Sequence, residues 1–139
     1  MVSTKGRYAI RFMIDLAEQG PGSRVRLDDV AQRQGISKKY LEVVVKLLVA
    51  AKLVRGVSGK GGGYQLLREP REYTVGEVLR AAEGPLSIVA CLEEGAEPCP
   101  REQACKTLAM WQQFDAMTRA FFGGITLLDL MEGRHPWEE

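Results

Sequence analysis

Three cysteines are the residues of this 139-residue chain whose type and spacing indicate chemistry. Cys91, Cys99 and Cys105 lie within fifteen residues, in the pattern C-x7-C-x5-C. An odd number of closely grouped cysteines is a poor disulfide framework and indicates a metal or redox site. Thiolates bind iron–sulfur clusters and zinc alike, but this spacing lacks the C-x2-C pair of most structural zinc sites. Thiols that sense oxidants directly, and a loop without metal, remain alternatives.

A second candidate site is a cationic segment that precedes the cysteines. Residues 24–68 carry ten Lys or Arg against three Asp or Glu, whereas residues 69–139 carry six against thirteen. Net charges of +7 and −7 are therefore hidden within a whole-chain charge of +1. This asymmetry predicts that the first segment, here called the cationic lobe, binds a polyanion.

The cationic lobe has the pattern of a helix-turn-helix followed by a wing. Apolar residues at helical spacing predict helices over 27–34 and 38–51, with Gly35 in the turn and Ser37 as the second N-cap. Short strands over 53–55 and 64–67 enclose a glycine-rich tip. The residues that the second helix is predicted to bury are Leu41, Val44, Val45, Leu48 and Val49.

The second of these helices is the predicted recognition helix, because its N-terminal end is polar and cationic. Side chains at that end of a helix-turn-helix reach base edges or flanking phosphates. Lys5, on a first helix predicted within residues 1–19, is a further candidate for phosphate contact. The candidates on or beside the recognition helix are Ser37, Lys38, Lys39, Tyr40, Glu42 and Lys46.

The remainder of the chain is also predicted to be helical. A helix over 75–83, capped by Thr74, is followed by a loop, by a long helix from about 101 to 122, and by a short helix within 125–131 that is free to cross over a partner. The long helix carries an apolar stripe that a lone domain would expose, which predicts pairing with the same helix of a second subunit. Packing of this stripe on the winged helix of the same chain is the alternative. The predicted interface residues are Leu108, Trp111, Phe114, Thr118 and Phe121.

Composition and absent motifs limit the class of protein. A content of 45% hydrophobic and 27% charged residues is typical of a soluble domain. The chain has no apolar run of about 18 residues and no signal-peptide pattern, so we expect a cytoplasmic protein without membrane association. Residues 59–63 lack the Walker pattern, and no Ser/His/Asp arrangement is in reach, so no enzyme is predicted. The predicted units are a winged helix-turn-helix domain (1–84), a cysteine loop (85–105), dimerisation helices (100–132) and a frayed tail (133–139).

Together these motifs resemble the bacterial winged-helix regulators that include IscR, NsrR and CymR, over nearly the whole chain. The matching segments are STKGRYA at 3–9, QGIS at 34–37, YLE at 40–42, GGGY at 61–64, VGEV at 75–78 and ITL at 125–127. The resemblance implies a mainly α fold with a small β-wing, and a homodimer that binds palindromic double-stranded DNA. It also implies a transcriptional repressor with a [2Fe-2S] or [4Fe-4S] cluster on Cys91, Cys99 and Cys105, which senses iron–sulfur status, oxygen, redox state or nitric oxide.

The chain departs from this family pattern at the fourth cluster ligand and at the wing. Leu108 occupies the position of the histidine ligand of IscR, and Tyr8 that of the acidic ligand of NsrR. The only histidine, His135, lies in the tail, where we expect it to be exposed. The fourth ligand must then be a residue of the other subunit, a small molecule or a loop carboxylate, the last group being Glu93, Glu94, Glu97 and Glu102. In the wing, Ser58 replaces an arginine of IscR and Lys60 lies close by, so both are candidate DNA contacts.

A cluster-free regulator is the alternative that the resemblance leaves open. Residues 86–88, Leu-Ser-Ile, follow Gly84-Pro85 as in the CymR branch. That branch implies control of cysteine or sulfur metabolism, either through a partner enzyme of cysteine synthesis or through thiol oxidation.

Overall fold

The helices and strands follow the predicted order, with mostly α structure and one two-stranded antiparallel wing. The computed structural model of the chain describes residues 2–20 and 22–138. Its main elements are α1 Thr4–Glu18, α2 Leu27–Gln34, α3 Lys38–Ala50, β1 Val54–Val57, β2 Gly63–Leu66, α4 Val75–Glu83, α5 Leu108–Gly123 and α6 Leu127–Met131. Short 3-10 helices cover Pro70–Glu72, Ala90–Leu92, Glu102–Ala104 and Pro136–Glu138. The predicted fold class is confirmed.

The helix-turn-helix of α2 and α3 lies where the sequence predicted it. Gly35 ends α2 with φ 64°, a left-handed conformation that favours glycine. Ser37 caps α3, its Oγ accepting from the Tyr40 N–H at 3.1 Å. Four predicted core residues of α3 are buried, namely Leu41, Val44, Val45 and Leu48. The burial predicted for Val49 is wrong, because Val49 is 40% exposed near the end of α3 and lines an open groove against the wing.

The wing is a hairpin whose strands differ from the predicted ones by one or two residues. Strand β1 pairs antiparallel with β2, from Val54 opposite Leu66 to Val57 opposite Gly63. Val25 adds a bridge to Tyr64, with both N–H···O distances at 2.8 Å. At the tip, a Cβ on Gly62 would lie 2.1 Å from the Val57 carbonyl oxygen, so the turn accepts only glycine there.

A buried ion pair fastens α1 to α2. Asp15 is 3% exposed, and its carboxylate accepts from Arg33 Nη2 at 2.7 Å and Nε at 3.1 Å. Gln34 Nε2 adds a third hydrogen bond at 3.0 Å. The fork of the guanidinium matches a carboxylate, so this pair fixes both the distance and the orientation of the two helices.

Tyr73 connects the helix-turn-helix to the strands and to the C-terminal part of the chain. Its fully buried hydroxyl donates to the Leu53 carbonyl at 2.6 Å and accepts from the N–H groups of Leu67 and Arg68 at 3.0 and 3.1 Å. Its own carbonyl accepts from the Leu127 N–H at 3.1 Å. One side chain therefore satisfies three backbone groups at the base of the wing.

The long helix begins later than predicted. We expected it from about residue 101, after Pro100, but α5 begins at Leu108. The preceding residues form a 3-10 turn, Glu102–Ala104, and Cys105 is extended at φ −76° and ψ 109°. Because residues 101–107 lack an apolar stripe, nothing in them favours continued α-helix, and packing begins with Leu108. The dimerisation unit predicted for residues 100–132 therefore has no α-helix before Leu108.

The last helix and the tail pack on their own chain. Leu127 of α6 is fully buried in the main core, whereas Leu128, Leu130 and Met131 are half-buried, so the crossing of this helix over a partner stays a prediction. The prediction of a frayed tail is wrong for residues 133–138, because Trp137 stacks on His135 at 4.9 Å and lies 5.8 Å from the Phe121 ring centroid. Predictions for Met1 and Glu139 fall outside the described residues. Across 2–20 and 22–138, no helix is long and apolar enough to cross a membrane.

Candidate DNA-binding surface and cysteine cavity

The predicted DNA contacts lie on three neighbouring elements: α1, α3 and the wing. Tyr40 is half-buried, with its ring 5.4 Å from that of Tyr8 in edge-to-face packing. Ser37 uses its Oγ as the cap of α3, so its hydroxyl first serves the helix. The predicted contacts whose side chains are exposed are Lys5, Ser37, Lys38, Lys39, Glu42, Lys46, Ser58 and Lys60.

A groove of about 390 Å³ separates the N-terminal ends of α2 and α3 from the wing tip. Its lining includes three cations, Arg26, Lys38 and Lys60, and one carboxylate, Asp28. We call this the wing groove. Arg26 and Asp28 are not predicted from the sequence, because they lie before the predicted recognition helix and only the folded turn brings them to it.

Asp28 and Lys38 form an ion pair on the α2 and α3 side of the wing groove. Lys38 Nζ lies 2.9 Å from Asp28 Oδ1, and Arg26 Nη2 lies 3.7 Å from Asp28 Oδ2. The hydrogen bond from Lys38, with its charge, holds the pKa of Asp28 below its ordinary value. The same hydrogen bond raises the pKa of Lys38. Both groups are therefore charged at neutral pH.

All three cysteines line one cavity of about 240 Å³. Cys91 and Cys99 are exposed, whereas Cys105 is half-buried. Glu97, Glu102, Leu108 and Gln112 also line the cavity. In the described part of the chain, no three His, Cys, Asp or Glu side chains are close enough to form a metal site as they stand. The fold gathers the thiols without setting them at ligand distances.

Cys105 differs from the other cysteines because it lies three residues before α5, beside the residues that begin that helix. Its Sγ lies 3.4 Å from the Thr107 Oγ1. The hydrogen bond from the Thr107 hydroxyl, followed by those from the Thr107 and Leu108 N–H groups, lowers the pKa of the Cys105 thiol. A thiolate is the form that binds metals and attacks oxidants, so this position favours either chemistry.

Polar contacts anchor the cysteine loop to the helices on both sides. Ser87 is 7% exposed, and its Oγ donates to the Leu92 carbonyl at 3.0 Å and accepts from Arg119 Nη2 of α5 at 3.1 Å. On the other side, Arg80 of α4 pairs with Glu94 at 3.0 Å. These contacts connect the loop around Cys91 to both α4 and α5.

Helix α5 leaves an apolar face uncovered. Met110, Phe114, Met117 and Phe121 are between 47% and 58% exposed and recur at helical spacing. The other predicted interface residues, Leu108, Trp111 and Thr118, are half-buried. Phe122 lies on the same helical face as these half-buried residues and packs against the small core of Val75, Leu79 and Ile125. The exposed residues of this face are thus not packed on the winged helix within the described part of the chain, whereas Phe122 on the other face contacts Val75 and Leu79 of α4.

The chain is similar in sequence and in fold to known transcriptional regulators. The family model "Rrf2: Iron-dependent Transcriptional regulator" matches residues 2–133. The chain is 38% identical over 130 residues to the HTH-type transcriptional regulator IscR of Aliivibrio salmonicida, covering 94% of this chain and 76% of that protein. The structure of CymR, the global cysteine regulator of B. subtilis, matches with TM-score 0.76 and 35% identity, covering 97% and 98% of the two chains. T. potens IscR matches with TM-score 0.72 and 33% identity, covering 100% and 91%.

Proposed function

The chain belongs to the Rrf2 family of transcriptional regulators, and we propose that it is a homodimeric, DNA-binding repressor with an iron–sulfur cluster on Cys91, Cys99 and Cys105. Its matched relatives are regulators, which confirms the prediction that it is not an enzyme. The proposal of a cluster is supported by one observation: the three cysteines line a single cavity beside the first turn of α5. Because such a protein acts on DNA, the cytoplasm is the expected location.

DNA binding is supported by the exposed lysines of α3 and the wing within a lobe of net charge +7. Lys39→Met should weaken binding to a duplex selected from a random pool by the parent protein. It should also reduce the slope of log K against log salt by about 0.9 if Lys39 contacts a phosphate. Lys106→Met, in the anionic part of the chain, is the matched control. Equal slopes for the two variants would show that Lys39 does not contact a phosphate.

Glu42 has a different role in the same surface. A carboxylate in the major groove is favourable only where it accepts from a cytosine amino group or rejects other bases. Glu42→Ala is therefore expected to relax sequence preference and to raise affinity for unselected duplex. A selection repeated with this variant measures the change, and an unchanged consensus would contradict the role.

Homodimer formation is supported by the uncovered apolar face of α5. Truncating a buried Phe typically costs about 3 to 5 kcal/mol, enough to dissociate a modest dimer. Phe114→Ala and Phe121→Ala should therefore sediment as monomers at low micromolar concentration. Ala116→Asp is the control on the same helix, because two residues at 3.6 per turn place it about 200° from Phe114. A dimer that survives in both Phe variants would place the interface elsewhere.

The donor set of the cavity fits an iron–sulfur cluster, because thiolates are its usual ligands. When bound, such a cluster supplies a redox-active iron centre that oxygen or nitric oxide can alter. Cys105, whose thiol pKa is already lowered, offers the ligand nearest to α5. For the fourth position, Glu97 and Glu102 line the cavity, whereas Glu94 is paired with Arg80. Leu108, which also lines the cavity, has no donor atom.

The proposed cluster is tested by measuring the absorption spectrum and the iron and sulfide content of protein purified without oxygen. We expect visible absorption from iron–thiolate charge transfer, together with iron and acid-labile sulfide. Replacing each of Cys91, Cys99 and Cys105 by Ser should reduce both contents. Glu97→Gln and Glu102→Gln, compared with Glu93→Gln as a control, test the carboxylate ligand by a change in the spectrum. Full iron and sulfide retention in all three Ser variants would refute the assignment, and bound zinc without iron would replace it.

A cluster-free regulator is the second candidate, and the similarity to CymR favours it. In that case Cys105 would respond to oxidants directly, or a partner enzyme of cysteine synthesis would control DNA binding. A colourless protein that binds the selected duplex only when another protein is added would support this candidate against the cluster.

A further inference from the structure

The ion pair between Asp28 and Lys38 is a further feature of the DNA-binding surface. It joins the first turn of α2 to the first turn of α3, inside the wing groove, at 2.9 Å. Both side chains are 51% exposed, and an exposed pair of this kind contributes little to the stability of the fold. Its position, at the reading end of the recognition helix, points to the DNA complex instead.

The wing groove lies where a DNA backbone would pass in the proposed complex. A recognition helix enters the major groove, and a wing beside it faces the adjoining backbone and minor groove. The groove between them carries three cations and the carboxylate of Asp28. A carboxylate there repels phosphate and competes with it for the ammonium of Lys38.

We propose that Asp28 is a specificity-determining residue, which withholds Lys38 from the phosphates of unselected DNA and directs it toward base edges. This inference rests on the proposed DNA-binding function. Affinity for unselected DNA comes from the attraction between lysines or arginines and phosphates. A lysine that stays paired with a carboxylate therefore does not add to this affinity. Specificity is a difference between affinities, and a repulsive group raises it by weakening the wrong complexes.

Lys38 can serve an operator without leaving Asp28. An ammonium has three N–H donors, so it can keep one hydrogen bond to the carboxylate and donate another to the O6 or N7 acceptor of a guanine. Only a helix seated by matching base contacts brings Lys38 to a base edge. The pair therefore penalises loosely seated complexes more than the operator complex.

Asp28→Asn tests this inference, with Asp29→Asn as the matched control. Asp29 belongs to the same first turn of α2 and is also exposed, but it neither pairs with Lys38 nor lines the wing groove. The probes are a mixed-sequence duplex of about 30 base pairs, long enough for two half-sites one helical turn apart, and a duplex that the parent protein has selected from a random pool. Affinity is measured by fluorescence anisotropy over a series of salt concentrations.

Asp28→Asn should raise affinity for the mixed-sequence duplex about fivefold and steepen its salt slope by about 0.9, one freed phosphate contact. Affinity for the selected duplex should change by less than about twofold, so the specificity ratio falls. Asp29→Asn should change neither ratio nor slope. Circular dichroism confirms that both variants are folded.

A double-mutant cycle separates the ion pair from a general charge effect. In a Lys38→Met background, Asp28→Asn should lose more than half of its effect on the mixed-sequence duplex, because the released lysine is absent. Equal effects of Asp28→Asn and Asp29→Asn, or an undiminished effect in the Lys38→Met background, would overturn the inference. If the parent protein enriches no duplex from the random pool and does not bind the mixed-sequence duplex, the proposed DNA-binding function itself fails.

Discussion

Removing the hydroxyl of Tyr73 should lower the free energy of unfolding, because this hydroxyl bonds three backbone groups at the base of the wing. Tyr73→Phe keeps the ring, and with it the Arg68 guanidinium 4.3 Å from its centroid. It deletes the group that serves Leu53, Leu67 and Arg68. Without the hydroxyl, these backbone groups must find water or remain unsatisfied.

The size of the effect follows from the exposure of the three groups. Leu53 is 3% exposed, so its carbonyl is left buried without a donor, at a cost of about 1 to 3 kcal/mol. Leu67 is 45% exposed, so its N–H and that of Arg68 can rehydrate, and each loses about 0.5 kcal/mol of net hydrogen bonding. The free energy of unfolding should therefore fall by about 2 to 4 kcal/mol.

Urea denaturation followed by circular dichroism measures this loss. Parent and variant must be compared at one protein concentration, because the proposed dimerisation would make apparent stability depend on concentration. Tyr64→Phe is the control, since it removes a hydroxyl from the same wing that bonds to none of the described residues. A loss below about 0.5 kcal/mol for Tyr73→Phe, the size of a surface substitution, would refute this account of the wing.

Two further predictions concern charged groups that hold α1 in place. Arg33→Met should lower the free energy of unfolding by about 3 kcal/mol, because it leaves the buried carboxylate of Asp15 without its cation. Asp15→Asn should cost less, because Arg33 is 40% exposed and can rehydrate. Equal losses in urea denaturation would contradict this asymmetry. Burial acts to raise the pKa of Glu83, but hydrogen bonds from the Ser3 hydroxyl and the Gly6 N–H, the latter at 2.6 Å, bring it below its ordinary value. Its contribution to stability is thus present above the pKa of unfolded glutamate, about 4.3, and is lost as pH falls through the lower folded value, so Glu83→Gln should flatten the acid limb of a stability–pH curve.

The parts of the fold that the sequence predicted are those fixed by local chemistry. A glycine before Ile36 and a serine after it were enough to place the turn of the helix-turn-helix, since αL geometry and N-capping involve neighbouring residues. The same holds for Thr74, whose Oγ1 accepts from the Glu77 N–H at 3.1 Å and begins α4 where predicted. The cysteine pattern likewise indicated a shared site, and the fold brings all three to one cavity.

What the sequence did not predict depends on contacts between distant residues. The start of α5 is set by packing that begins at Leu108, so Pro100 was a misleading signal. Asp15 and Arg33 are separated by 18 residues, and no periodicity pairs them. The packing of Trp137 cannot be predicted from the sequence pattern, because its partner Phe121 belongs to another element. Such pairings follow from topology, which spacing along the chain does not report.

The central claim is that the cysteine cavity controls a DNA-binding dimer. Its most direct test is the affinity of anaerobically purified protein for the selected duplex, measured before and after iron is removed by a chelator, alongside Cys99→Ser. Removing iron should change the affinity of the parent by about 5- to 150-fold, the usual range of allosteric coupling, and should leave Cys99→Ser unaffected. Iron-bearing parent protein whose affinity is the same before and after chelation would contradict the claim.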